Sequence, residues 1–162
     1  MQSAMRIAVL LADDHRVFRD GLRKLLAAES DIEVVGEAAN GRQAVAMTRK
    51  LRPAVVVMDI AMPLLNGLEA TRLIRIAAPD VKVLILSAHS DDAYIERAME
   101  LGAVGYMIKH TSANDLPEAI REVQKGNTFF SPSISKSLRH HNQKSLDRNG
   151  QMKAKAIRLS FA

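Results

Sequence analysis

Cysteine is missing from all 162 residues. Disulfide staples and thiolate metal sites are therefore excluded, which fits a reducing compartment. No apolar run approaches the ~20 residues of a membrane-spanning helix. The stretch from Met1 to Arg6 lacks the charged region and small-residue cleavage site of a signal peptide. Ile7 to Ala12 is too short for a signal core and runs straight into Asp13 and Asp14. The expectation is a cytoplasmic protein with no membrane partner. Proline is scarce, with five residues, and four of them punctuate elements. Pro53 and Pro79 stop helices, Pro63 opens a turn, and Pro117 fits only the first turn of a helix. The length suits one domain of roughly 100–200 residues, large enough to bury a core without staples.

The net charge of +5 is unevenly spread. Residues 1–134 hold 16 basic and 17 acidic side chains, a balance of −1. Residues 135–162 hold seven basic side chains and one acid, Asp147, a balance of +6. The basic character belongs to a tail. Such a tail sits near nucleic acid or, more often, is a solvated linker. Apolar periodicity also disappears past about residue 135, and Ser131 to Ser137 is rich in Ser and Pro. The chain therefore divides into a folded domain over 1–130 and a basic polar linker over 131–162. His140 and His141 are adjacent, not i, i+4, so no helix-borne metal site is read there.

Within the folded part, strands and helices alternate. Ile7 to Leu11 is an unbroken apolar strand. A helix over His15–Ala28 puts Phe18, Leu22, Leu25 and Leu26 on one face, with Asp14 or its neighbour as cap. Ile32–Ala38 is a weaker, partly charged strand suited to a sheet edge. Asn40-Gly41 turns into a helix over Arg42–Leu51. Ala54–Asp59 is apolar until its last residue, as a strand buried on both faces should be. The loop Ile60-Ala61-Met62-Pro63-Leu64-Leu65-Asn66 leads to a helix over Gly67–Ala78. Val81–Ser87 is a fourth strand, followed by a helix over Asp91–Gly102. Val104–Lys109 is a fifth, and a last helix begins near Ser112 or Asn114 and ends at Gly126; Pro117 favours the later start. Five such alternations predict an α/β fold: a doubly wound, five-stranded parallel sheet, order 2-1-3-4-5, with five helices. The methionines read as core filler, and no role is assigned to Tyr94.

The polar residues that end the strands converge. Asp13 and Asp14 end the first, Asp59 the third, Ser87 the fourth and Lys109 the fifth. In a parallel sheet these ends share one edge, and neighbouring strands lie roughly 4.8 Å apart. Three carboxylates in one place repel unless neutralised. A hard divalent cation such as Mg²⁺ takes carboxylate, carbonyl and water oxygens, and the Ala61 carbonyl can add to the set. Lys109 supplies a point charge for a phosphoryl oxygen. Aspartate can form an aspartyl-phosphate, and phosphoryl transfer needs chiefly positioning and charge neutralisation.

These residues carry a resemblance. Asp13-Asp14, Asp59 with Met62-Pro63 and Asn66-Gly67, Ser87-Ala88, and Gly105-Tyr106-Met107-Ile108-Lys109 resemble the response-regulator receiver domain of two-component signalling, over about residues 5–128. Leu11-Ala12-Asp13-Asp14-His15 and Gly126-Asn127-Thr128-Phe129-Phe130-Ser131-Pro132 look like the NarL/FixJ subfamily with a LuxR-type helix-turn-helix output. The resemblance implies a flavodoxin-like fold and a switch rather than a turnover enzyme. It implies that Asp59 accepts a phosphoryl group from a sensor histidine kinase. Asp14 would bind Mg²⁺ directly and Asp13 through water; Ser87 and Tyr106 would be the switch pair, and Lys109 would pair with the phosphate. Ala61 and His89 would flank the site and tune phosphoryl lifetime. Homodimers would form through the fourth helix, fifth strand and fifth helix, or through the first and fifth helices. DNA would be bound only by an output domain, and Lys155 to Ser160 looks like the run-in to one that the chain does not include. Many receivers carry Pro after the Lys; His110 here leaves the isomer of that peptide open.

Two other functions are weighed against this. A phosphorylation-independent interaction module needs neither the acidic cluster nor Lys109. A Mg²⁺-dependent phosphatase with Asp59 as nucleophile needs a second acid close by, and Ile60-Ala61 does not provide it. His15, His89 and His110 read as solvated loop residues.

Overall fold

The computed structural model describes residues 5–132 and 134, with Thr111 and Ser112 described in their backbone alone. Strands β1 (Ile7–Ala12), β2 (Ile32–Ala38), β3 (Val55–Met58), β4 (Lys82–Ser87) and β5 (Gly105–Ile108) alternate with helices α1 (Arg16–Ala27), α2 (Gly41–Leu51), α3 (Gly67–Ala77) and α4 (Asp92–Glu100). After β5 come a short helix α5 (Lys109–Ser112), a 3-10 turn (Ala113–Asp115), α6 (Leu116–Gln124) and a two-residue strand β6 (Phe129–Phe130). All strands pair in parallel, in the order β2-β1-β3-β4-β5-β6.

β1 and β3 are apolar at every position, and β4 is apolar between Lys82 and Ser87, because both sheet faces are covered. Leu10, Val56, Met58 and Ile85 face a layer made by α2, α3 and α4, through Ala44, Ala70, Ile74, Ile95 and Ala98. Val9, Leu11, Val55, Val57 and Leu84 face α1 and α6, through Leu22, Leu26, Leu116, Ile120 and Val123. Each of the Val, Leu, Ile and Met side chains contributes about 1.5–3 kcal/mol by leaving water. Slipping a strand by one residue would exchange its two faces and misplace the residue that follows it.

The doubly wound parallel sheet is as the sequence predicts, but it has six strands rather than five. The sixth was hidden because two residues carry no periodicity. It covers the edge of β5, whose backbone groups would otherwise lack partners. Gly105 permits the approach, since a Cβ there would overlap the Phe129 carbonyl. Beyond it, the Ser131 N–H donates to the Tyr106 carbonyl (3.2 Å), and the Ile108 N–H donates to Ser131 Oγ (3.2 Å). Ile134, 2% exposed, joins the core of the α2–α3–α4 side. Of the linker expected over 131–162, Ser131, Pro132 and Ile134 are described; the rest of it, with the run-in, lies outside the described residues.

Two further boundaries differ from expectation. β5 stops at Ile108, and Lys109 opens α5 instead of ending the strand. The last helix starts at Leu116 with Pro117 in its first turn, where a missing N–H is harmless. The Lys109–His110 peptide is trans, like every described peptide bond.

The loop after β3 is held at both ends. Asn66 caps α3 by accepting from the Glu69 N–H (2.9 Å). The Gly67 N–H donates to the Ile60 carbonyl (2.8 Å). A Cβ on Gly67 would overlap the Asp59 carbonyl, and one on Gly41 would overlap the Leu65 carbonyl. Within the loop Leu64 takes a left-handed φ of 68°.

Gly67 opens a helix, where Ala normally gains about 0.5–1 kcal/mol over Gly. Here the neighbour that must yield is backbone, so the steric term wins. Gly67→Ala is expected to destabilise the domain by about 2 kcal/mol, read from chemical denaturation; an unchanged or higher midpoint contradicts the close approach.

Candidate functional site

Ala12 of β1 pairs with Met58 of β3, so the residues after them, Asp13 and Asp59, emerge side by side. The Asp59 N–H donates to the Ala12 carbonyl (2.9 Å), locking that level. On the far side of β4, Ile108 pairs with Ser87, and Lys109 follows. Its long stem reaches back along the edge. Lys109 Nζ lies 2.7 Å from Asp13 Oδ2 and 3.0 Å from Asp59 Oδ2. Both carboxylates are 3% exposed.

One buried ammonium thus serves two buried carboxylates. Burial pushes the Asp59 carboxyl above its ordinary range; the Lys109 hydrogen bond opposes that rise and the nearby Asp13 charge adds to it. Burial works against the charge of Lys109, yet hydrogen bonds to Asp13 and Asp59 outweigh it and raise its pKa. The second oxygens are also occupied: Asp13 Oδ1 accepts the His15 N–H and Asp59 Oδ1 the Ile60 N–H, both at 2.8 Å.

Helix α1 and its N-cap residue contribute three side chains that the sequence did not assign to the site. The Phe18 ring centroid lies 4.6 Å from Lys109 Nζ, a cation–π contact. The Arg19 guanidinium donates to the Asp13 carbonyl (2.6 Å) and to Glu37 Oε1 (2.9 Å), tying the end of β1 to β2. His15 Nδ1 stands 3.3 Å from both Asp13 Oδ1 and Asp14 Oδ1. Phe18 read only as part of an apolar helix face, Arg19 carried no signal, and His15 read as a solvated loop residue. Its neighbours Asp13-Asp14 were the available clue. Neither aspartate caps α1 by its side chain, as one was expected to; His15 holds the cap position and makes no cap bond.

Asp13, Asp14, His15 and Asp59 each offer one donor atom, and these atoms lie within 4.8 Å of one another. Among the described residues this oxygen-rich group fits a hard divalent cation. Asp14 is exposed at its mouth, and Ala61, also exposed, starts the adjoining loop.

Ser87 and Tyr106 form a second, buried group. The His89 N–H donates to Ser87 Oγ (3.1 Å), and the Tyr106 hydroxyl donates to the His89 carbonyl (2.7 Å). The His89 ring stacks on Tyr94 with centroids 4.9 Å apart. Burial pushes the Tyr106 phenol up to about 12, against a hydrogen bond from Ser87. Tyr94 therefore belongs to this loop contact, which its sequence position did not reveal.

The raised Asp59 carboxyl has a consequence for stability. Its ionised form costs folding energy at every pH above the folded pKa. That cost fades as pH falls through the folded value and is gone below the unfolded value near 3.9. In chelator, Asp59→Asn is expected to melt about 3 °C above the wild type at pH 7, with the gain lost below about pH 3.5. Thermal unfolding across pH checks this; a lower melting temperature at pH 7 contradicts it.

A family model described as the response regulator receiver domain matches residues 9–121. The chain is 41% identical over 133 residues to the transcriptional regulatory protein DegU of Brevibacillus brevis, covering 82% of this chain and 56% of that protein. It is 39% identical over 140 residues to the response regulator protein VraR of Staphylococcus aureus, covering 86% and 67%. The chain thus spans little more than half of the first relative and about two thirds of the second. A solved LuxR-family two-component response regulator from Aurantimonas sp. SI85-9A1 superposes with a TM-score of 0.81 at 34% identity, covering 84% of this chain and 97% of that one. With the parallel α/β sheet and the acidic edge already described, this chain belongs to the response-regulator receiver domains of two-component systems.

Proposed function

We propose that the domain is a phosphorylation-driven switch in which Asp59 accepts a phosphoryl group from a phosphohistidine on a sensor histidine kinase. The observation that carries this is the Lys109 ammonium shared by the buried Asp13 and Asp59 carboxylates, beside the exposed Asp14. An interaction module with no phosphoryl group to receive would have little use for two buried carboxylates on one ammonium, since buried charges carry a large desolvation penalty.

The chemistry is a displacement at phosphorus. A carboxylate oxygen of Asp59 forms the new P–O bond as the P–N bond to the donor imidazole breaks, and the electron pair leaves with that imidazole. Mg²⁺, when bound, neutralises charge on the phosphoryl oxygens. Asp14, Asp13, the Asp59 carboxylate and the Ala61 carbonyl would be the groups that hold it. Lys109, already poised on Asp59, turns its ammonium to the phosphoryl group. Ala61 is small and leaves water access to the acyl phosphate, so the switch resets by its own hydrolysis and is no turnover enzyme.

Relay follows from the second group. A phosphoryl oxygen competes with the His89 N–H for Ser87, and Tyr106 loses or keeps its hold on the His89 carbonyl accordingly. The change reaches the surface of α4, β5 and α6 and alters self-association there or through α1 and α6. Where a DNA-binding output domain is joined to it, this governs transcription, in keeping with the transcriptional regulatory protein among its relatives.

Incubation with a small acyl phosphate and Mg²⁺ is expected to add one phosphoryl group by intact mass. Chelator and Asp59→Asn should each abolish the adduct. An adduct that survives Asp59→Asn contradicts the assignment.

A further inference from the structure

We propose that His15 is a nitrogen ligand to the divalent cation of this site, biasing it toward borderline ions such as Ni²⁺ and Zn²⁺. The inference rests on the metal-site assignment above and adds to it a donor and an ion preference.

The position of His15 is unusual for its type. It occupies the N-cap of α1, with φ −87° and ψ 98°, where Ser, Thr, Asp or Asn would accept from the first turn. Its ring makes no such bond and turns to the carboxylates instead. Nδ1 lies 3.3 Å from Asp13 Oδ1 and 3.3 Å from Asp14 Oδ1. The backbone is fixed in that pose because the His15 N–H donates to Asp13 Oδ1 (2.8 Å).

The spacing suits coordination. Ligands about 2.1 Å from an octahedral ion are about 3.0 Å apart when adjacent and about 4.2 Å when opposite. The 3.3 Å separation between His15 Nδ1 and Asp14 Oδ1 corresponds to adjacent positions. The 4.8 Å limit on the whole donor set asks for a contraction of about half an ångström. With the side chain 68% exposed, the imidazole has room to make it.

The ion preference follows from ligand chemistry. Carboxylates and carbonyls suit Mg²⁺, whereas imidazole suits Zn²⁺, Ni²⁺ and Cu²⁺. An imidazole donor therefore strengthens binding of the latter and does little for Mg²⁺, which keeps its waters. The same geometry would arise if an imidazolium merely neutralised the two carboxylates. The two roles have opposite signs: removing a competing positive charge strengthens every divalent ion, and removing a ligand weakens the nitrogen-seeking ones.

The test is calorimetric titration of the untagged chain with Mg²⁺ and with Ni²⁺ at neutral pH. Both sides of the comparison carry His140→Ala and His141→Ala, which removes the tail imidazoles. His15→Ala is expected to weaken Ni²⁺ at least tenfold and to change Mg²⁺ less than twofold. His15→Gln, which keeps bulk and polarity, should match the Ala variant. With Co²⁺, a hyperfine-shifted imidazole resonance should appear and vanish in both His15 variants. Equal strengthening of Mg²⁺ and Ni²⁺, or no change in either, overturns the role of His15 and leaves the metal site standing. Failure of the wild type to bind Mg²⁺ at all overturns the site itself.

Discussion

One positive charge shared by two negative ones is the constraint around which the fold is arranged. Lys109 stands at the end of β5, two strands away from Asp59 and three from Asp13. Its ammonium meets both only because the carboxyl ends of the strands are level. That levelness comes from the core, where two helical layers lock every interior strand in register from both sides. The charge count stays one short of neutral in the buried group, and Asp14 adds another negative charge at the mouth. A site so built is receptive to an incoming cation, and the pKa of Asp59, raised first by burial, is raised further by the neighbouring Asp13 charge.

The second constraint is steric. Gly41 and Gly67 let backbone approach backbone on either side of the loop that follows Asp59. The loop therefore behaves as a rigid rim, with its left-handed turn at Leu64 placed on the solvent side. A residue meant to react with an incoming group benefits from such a rim, because its orientation is set before the group arrives.

What could be read from the residues follows from which signals are periodic. β1, β3 and β4 were legible because burial on both faces forces continuous apolar runs; Asp13 and Asp59 were legible because they directly follow β1 and β3, and Lys109 because it directly follows β5. β6 escaped because Phe129–Phe130 is too short to repeat anything. The break of the last helix into α5, a 3-10 turn and α6 escaped because only Pro117 hinted at it. His15 and Tyr94 meet partners close in sequence, Asp13-Asp14 and His89, but nothing periodic marks the contact, and Phe18 joins Lys109 through tertiary contact alone. Phe18 looks like any core position on an amphipathic helix until Lys109 lies over its ring.

β5 is bordered on one side by β4, which ends in Ser87, and on the other by the outgoing chain, hydrogen-bonded through Ser131 to Tyr106 and Ile108. The segment Phe129–Ser131 is thus seated on the strand that carries Tyr106. A tilt of that strand would carry these three residues with it, so a change at Tyr106 would be felt at the outer edge of the sheet as well as at its centre.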